Sequence, residues 1–217
     1  MSAAPPAAAR DRILDAADEV FGAVGFAAAT TRQIAAASGA TKALIHYHFK
    51  TKDGLLEALL DRYYQALGAT LQGALAGAGD LRARTLALVD RYLDFLRRHR
   101  NFARIVQRQA AGGPHQARIR EHMAPLLELG TRVVQAAYPT TRGGDLAAGQ
   151  LLITGYGILV TAFTYADLAE PLLGADPYSE EGFAARRRHV RRAIRLLFDA
   201  VEAVEADEAA AGGGEPW

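Results

Sequence analysis

Four cations stand in a stretch of chain that carries no opposing charge. Between Glu19 and Asp53 there are Arg32, Lys42, Lys50 and Lys52, and no acidic residue. Unopposed cations at this density suit phosphate binding, where each one neutralises a backbone charge and releases a counterion. The whole chain holds 25 Lys+Arg against 24 Asp+Glu, a formal net charge of +1. Bulk charge therefore supplies no affinity for nucleic acid, and a local patch must.

Other chemistries find less support. His46 and His48 lie two apart, so on a helix they point in different directions, and His115 and His122 share a face only if one helix spans both. No metal site is expected. The absence of cysteine excludes disulfides, thiolate zinc and cysteine nucleophiles, and fits a reducing compartment, the cytoplasm. No Gly-x-Ser-x-Gly, phosphate-binding glycine loop or dinucleotide fingerprint occurs, so the chain reads as a non-enzyme without a cofactor. The alternative is an all-α enzyme or a ligand-binding module that does not touch DNA.

The basic stretch has the local grammar of two short helices. Thr30 and Gln33 form a Ser/Thr-x-x-Glu/Gln capping box that starts a helix running to Ser38. Gly39 supplies a left-handed closing residue, and Thr41 caps a second helix reaching Phe49, which together make a helix-turn-helix. On that second helix Ile45 and Phe49 share one side, while Ala43, Leu44 and Tyr47 lie away from it. A leucine and a tyrosine turned to the outside make sense if they enter a major groove and touch thymine methyls. Thr51 can cap the helix that follows, whose free amides and positive end attract phosphate beside Lys52.

The stretch from about residue 10 to 60 resembles the TetR family of repressors. The resemblance rests on Ala16, Ala17 and Phe21 in the first helix, Gly25-Phe26, Thr30-Thr31, Ile34-Ala35, the turn at Gly39, and an end carrying His48, Phe49 and Lys52. It departs at Ala43 and His46, where the family usually has Gly and Tyr. The resemblance implies that Thr31 and Arg32 brace or read DNA from the first helix of the motif. Thr41, Lys42, Ala43, Leu44, His46 and Tyr47 would face the operator, and His48 and Lys52 would hold phosphates. His46 in place of tyrosine implies a weaker backbone contact, sensitive to pH.

These residues must be positioned by helices, because helical periodicity dominates the chain. Apolar residues recur at three and four in Ile13, Ala17, Val20, Phe21 and Val24, and strand-like alternation is nowhere sustained. Gly and Pro clusters delimit about nine helices, all-α, in two domains. A DNA-binding head is expected over 10–52 and a ligand-binding and dimerisation body over 53–207, with flexible arms at 1–9 and 208–217. One long helix from Thr51 to about Ala76, with its stripe of Leu55, Leu56, Leu59, Leu60, Tyr63, Leu67 and Leu71, joins them. The body should hold a small apolar or aromatic effector among Tyr92, Phe95, Phe102, Gln109, His122, Met123, Tyr156 and Phe163.

The last two long helices, Asp145–Ala169 and Ser179–Ala206, resemble the pair that joins TetR subunits, which implies a homodimer on a palindromic double-stranded operator. The apolar face expected there comprises Val190, Ala193, Ile194, Leu197, Phe198, Val201 and Val204. The arginines from Arg186 to Arg195 read as a solvated face. Leu146–Ala166 is uncharged and long enough to span a bilayer, but Gln150, Thr154, Thr161 and Thr164 dilute it and no basic flank frames it, so no membrane role is expected.

Overall fold

The computed structural model describes residues 6–75 and 79–212. They form ten α-helices and one short 3-10 turn, with no strand among them. The helices are α1 (Pro6–Ala28), α2 (Thr31–Ser38), α3 (Lys42–Phe49), α4 (Lys52–Leu75), α5 (Leu81–Arg98), α6 (Arg100–Ala110), α7 (Gln116–Ala137), α8 (Ala148–Thr164), α9 (Ala166–Leu173) and α10 (Glu180–Gly212). Of the arms expected to be flexible, 6–9 and 208–212 are helical, and the remainder lies outside the described residues. Two breaks were not signalled by Gly or Pro, at His99 between α5 and α6 and at Tyr165 between α8 and α9. At Gly25 (φ 79°, ψ 162°) the backbone leaves helical geometry, and α1 is two helical pieces joined across that kink.

The contacts divide the chain into two units, one of residues 1–68 with 99–120 and the other of 69–98 with 121–217. The first unit is larger than the head expected over 10–52, because the early part of α4 and all of α6 belong to it. Its core is built from Ile13, Leu14 and Phe21 of α1, Ile34 of α2, Ile45 of α3, Leu55, Leu56, Leu59 and Leu60 of α4, and Phe102 of α6, all buried. Phe102 presents its edge to Tyr63 and Tyr64. Gly22 lets α6 come close: a Cβ there would stand 2.3 Å from Asn101 Oδ1.

Within this unit Tyr63 donates its hydroxyl to Asp18. Burial, the largest influence, pushes the Asp18 carboxyl above its usual range, although the Tyr63 hydrogen bond works the other way. A carboxyl whose pKa is raised by folding favours the folded state while protonated and loses that contribution as pH rises through the folded value. Asp18→Asn keeps an acceptor for Tyr63 and removes the buried charge. The variant is expected to unfold at higher denaturant than wild type at pH 8, with the advantage vanishing at pH 4. An equal shift at both pH values would show that charge burial is not the cause.

The second unit contains α5, most of α7, α8, α9 and α10. Arg187 pairs with Asp94 and Arg191 with Asp90, while Arg82 reaches Asp199 at 2.6 Å and Glu202 at 3.0 Å. As the α5 number rises from 82 to 94 its partner's falls from 202 to 187, so α5 and α10 run antiparallel, laced by ions. Arg187 and Arg191, expected to be solvated, are thus structural. Phe163 packs against Tyr178 and Phe183, with ring centroids 5.2 and 6.2 Å apart. Val190, Ile194 and Val201, placed by periodicity on a dimer face, are buried within this unit. No single described helix is long and apolar enough to cross a membrane; α8 and α9 pass that test only together and are bent by 94°.

Candidate nucleic-acid interface

The helix-turn-helix is assembled by short-range bonds. The Gln33 amide donates to Thr30 Oγ1 at 3.2 Å, and the Thr30 amide donates to Gln33 Oε1 at 2.8 Å, the reciprocal capping box. The Ser38 hydroxyl closes α2 by donating to the Ile34 carbonyl at 2.7 Å, and Gly39 takes φ 65° and ψ 16°. The Leu44 amide then donates to Thr41 Oγ1 at 3.1 Å and opens α3. Each bond spans four residues or fewer, so the turn is set by its own sequence.

Helix α3 is held on the unit by Ile45 and Phe49, both buried. Its outer side presents Lys42, Ala43, His46 and Tyr47, all exposed, with Leu44 half-buried at the margin. Tyr47 is 68% exposed, a large ring turned mostly to water, with the His48 ring 5.1 Å and Lys50 Nζ 5.7 Å from its centroid. Thr41 and Arg32 are exposed and Thr31 is half-buried. The arrangement provides donors, a methyl-sized surface and a ring on one rigid helix, which fits the width of a major groove and the mix of contacts made to base edges there.

The end of α3 is tightly wound. The Thr51 amide donates to the Phe49 carbonyl at 2.7 Å across Lys50, whose φ of 63° and ψ of −52° place it in a γ-turn with positive φ. A Cβ on Gly54 would stand 2.4 Å from that same carbonyl. Only glycine therefore lets α4 start so close to the end of α3. Lys50 Nζ donates to the Tyr47 carbonyl at 3.1 Å, which caps α3 with charge. Arg10 lies over the Phe49 ring, 5.5 Å from its centroid. Arg10 and Gly54 were not among the expected site residues, because each acts through a neighbour that folding supplies.

Two expected phosphate ligands are engaged or partly enclosed within the fold. Lys52 Nζ donates to the carbonyls of Phe26 at 2.8 Å, Ala29 at 3.0 Å and Ala27 at 3.3 Å, and stands 4.5 Å from the centre of the Phe26 ring. An ammonium has three protons, and all three are directed at the end of α1. These carbonyls stand where α1 ends, where a helix leaves its last carbonyls without helical partners, and a cation is the natural cap for a helix C-terminus. His48 is half-buried, and its Nε2 is enclosed with no hydrogen-bond partner among the described residues. Thr51 caps α4 as expected, accepting from the Gly54 amide at 2.9 Å.

Residues 13–59 match the family model described as "Bacterial regulatory proteins, tetR family". The helix-turn-helix segment is thus similar to the DNA-binding part of that family. Relatives of the chain include "Probable HTH-type transcriptional regulator YttP" of Bacillus subtilis, 31% identical over 102 residues that cover 46% of this chain and 49% of that one. Another is "HTH-type transcriptional activator FasR" of Mycolicibacterium smegmatis, 36% identical over 87 residues and covering 40% of each. The chain thus spans about half or less of the length of these curated relatives. A TetR-like transcriptional regulator from Rhodococcus sp. RHA1 shares the fold more widely, with a TM-score of 0.71 at 19% identity over 92% of this chain and 99% of that one. The chain is all-helical among its described residues, as expected.

The eight residues expected to line an effector site are divided between the two units. Phe102 and Gln109 lie in the unit that carries the helix-turn-helix, and Tyr92, Phe95, His122, Met123, Tyr156 and Phe163 lie in the other. Phe95 and Phe163 are fully buried and pack as core. Aromatic composition marks buried volume, and by itself does not say whether that volume is filled by side chains or left for a ligand.

Proposed function

We propose that the chain is a transcriptional regulator of the cytoplasm, not an enzyme, that binds a palindromic operator as a homodimer and releases it when a small apolar or aromatic effector binds. The observation that carries this reading is α3, fastened by Ile45 and Phe49 and turning Tyr47 and the cations around it to solvent. Lys42, Ala43, Leu44, His46 and Tyr47 face the groove, with Arg32, Thr31 and Thr41 beside them. Two such helices, one per subunit, read half-sites about one helical turn apart. Lys52 is withdrawn from this set by its bonds to the end of α1.

An apolar effector is supported by two proteins of the same fold. One is described as the fatty acid degradation regulator FadR from Bacillus halodurans, with a TM-score of 0.66 at 19% identity over 89% of this chain and 96% of that one. The other is described as the ketosteroid transcriptional regulator KstR2 of Mycobacterium tuberculosis, with a TM-score of 0.67 at 16% identity over 88% and 93%. Repression lifted by such a ligand requires that DNA weaken the ligand by the same factor as the ligand weakens DNA.

The decisive experiment is selection of bound sequences from a random duplex pool, followed by titration at several salt concentrations. A regulator enriches a palindrome and binds it with a steep salt slope; a helical enzyme or ligand-binding module does neither. Dimerisation is assigned to the faces of α8 and α10 left open in one chain, where Ile153 is 60% and Leu196 50% exposed. Leu196→Glu is expected to give a folded monomer by sedimentation that binds the selected palindrome at least about tenfold more weakly, since only one half-site is held at a time. A dimer retained in both Leu196→Glu and Ile153→Glu would move the interface elsewhere.

A further inference from the structure

Neighbouring arginines on α10 meet different surroundings. Arg187 and Arg191 each reach an aspartate of α5. Arg186 turns instead towards α8, where one terminal nitrogen donates to the Ile158 carbonyl. Its Nε is buried and has no hydrogen-bond partner among the described residues. Burial pulls this guanidinium below its usual range, and no neighbouring carboxylate acts to restore it. A buried charge is normally paired, and a donor enclosed without an acceptor is destabilising. The fold tolerates Arg186 without supplying the anion that it calls for.

Arg186 also lines an open pocket of about 250 Å³. The remaining wall is apolar, formed chiefly by Ala162 at the end of α8, Tyr165 at the bend, and Leu168, Leu172 and Leu173 of α9. The three leucines are 70%, 84% and 50% exposed. So much apolar surface left to water on one eight-residue helix marks a contact site. The left-handed Gly174 ends α9 directly after the last of these leucines.

We propose that this pocket binds a small amphipathic monocarboxylate, with its carboxylate on Arg186 and its hydrocarbon part against the leucines of α9. The forked donors of a guanidinium match a carboxylate, and a charge-assisted pair is strongest where water is partly excluded. The volume lies just below the range of drug-sized sites, which limits the tail to a short chain or a single ring. The proposal stands on this pocket alone and does not depend on the operator reading.

Calorimetric titration of the full chain with sodium octanoate, and with 1-octanol as the uncharged control, tests it. Octanoate is expected to bind saturably and at least tenfold more tightly than octanol. Arg186→Gln should bring octanoate down to the level of octanol, and Leu172→Asn should weaken both ligands. Leu172 is 84% exposed, so that variant keeps its fold and serves if Arg186→Gln does not. The proposal is overturned if octanoate gives no saturable heat, if it binds no better than octanol, or if both variants bind it as wild type does. It is also overturned if sedimentation shows that Leu172→Asn converts a dimer to a monomer, because the leucines would then be the seat of a second copy of the chain.

Discussion

Lys52→Ala is expected to lower the unfolding free energy by about 3 kcal/mol, taking hydrogen bonds to a charged group at ~1.5–3 kcal/mol each and allowing for non-additivity. Its ammonium holds three carbonyls at the end of α1, at 2.8, 3.0 and 3.3 Å, and stacks on Phe26. Removing it leaves those carbonyls to water and frees the α1 end from the start of α4. Urea unfolding followed by circular dichroism reads the loss as a lower midpoint at unchanged slope. The same variant should keep the wild-type salt dependence of DNA binding at temperatures where it is folded. A residue that touches phosphate would instead lower the slope of log K against log salt by about one on removal. A changed slope with unchanged stability would return Lys52 to the DNA surface.

Tyr47→Ala should have the opposite signature. The side chain is 68% exposed, so truncating it should alter stability by no more than about 0.5 kcal/mol. On DNA the loss counts twice, once per half-site. At ~1–3 kcal/mol for a contact that reads a base, the dimer loses about 2–6 kcal/mol on its selected palindrome, at least about 30-fold in affinity. Binding to random duplex rests on phosphates and should change by less than about threefold. Fluorescence anisotropy with the two duplexes at one salt concentration measures both. Equal losses on the two would place the Tyr47 ring on the sugar-phosphate backbone and remove it from base recognition.

Both expectations turn on residues that are close in sequence and far apart in role. Tyr47 and Lys52 sit five positions apart in the same basic stretch, and composition treats them alike as parts of one patch. The fold separates them because the end of α1 brings the carbonyls of Phe26, Ala27 and Ala29 to Lys52 at the start of α4. A partner 26 residues away leaves no mark in the local sequence around Lys52. Arg10 and Gly54 were illegible for the same reason, since the Phe49 ring and the Phe49 carbonyl reach them only after the helices pack.

What the sequence alone determined was everything carried by bonds of short range. The capping box at Thr30 and Gln33, the left-handed Gly39, the Thr41 cap and the inward pair Ile45 and Phe49 each depend on residues within four positions, so their types and spacing suffice. Helical periodicity likewise made the all-α class legible. The tertiary structure decided which apolar stripe is consumed inside one chain: Val190, Ile194 and Val201 are buried, whereas Ile153 and Leu196 remain open. It decided that Phe102 and Gln109 belong with the helix-turn-helix, and that Arg187 and Arg191 are paired while Arg186 is not. These outcomes depend on which helix lies against which, and amphipathic periodicity shows that a face must be covered without naming what covers it.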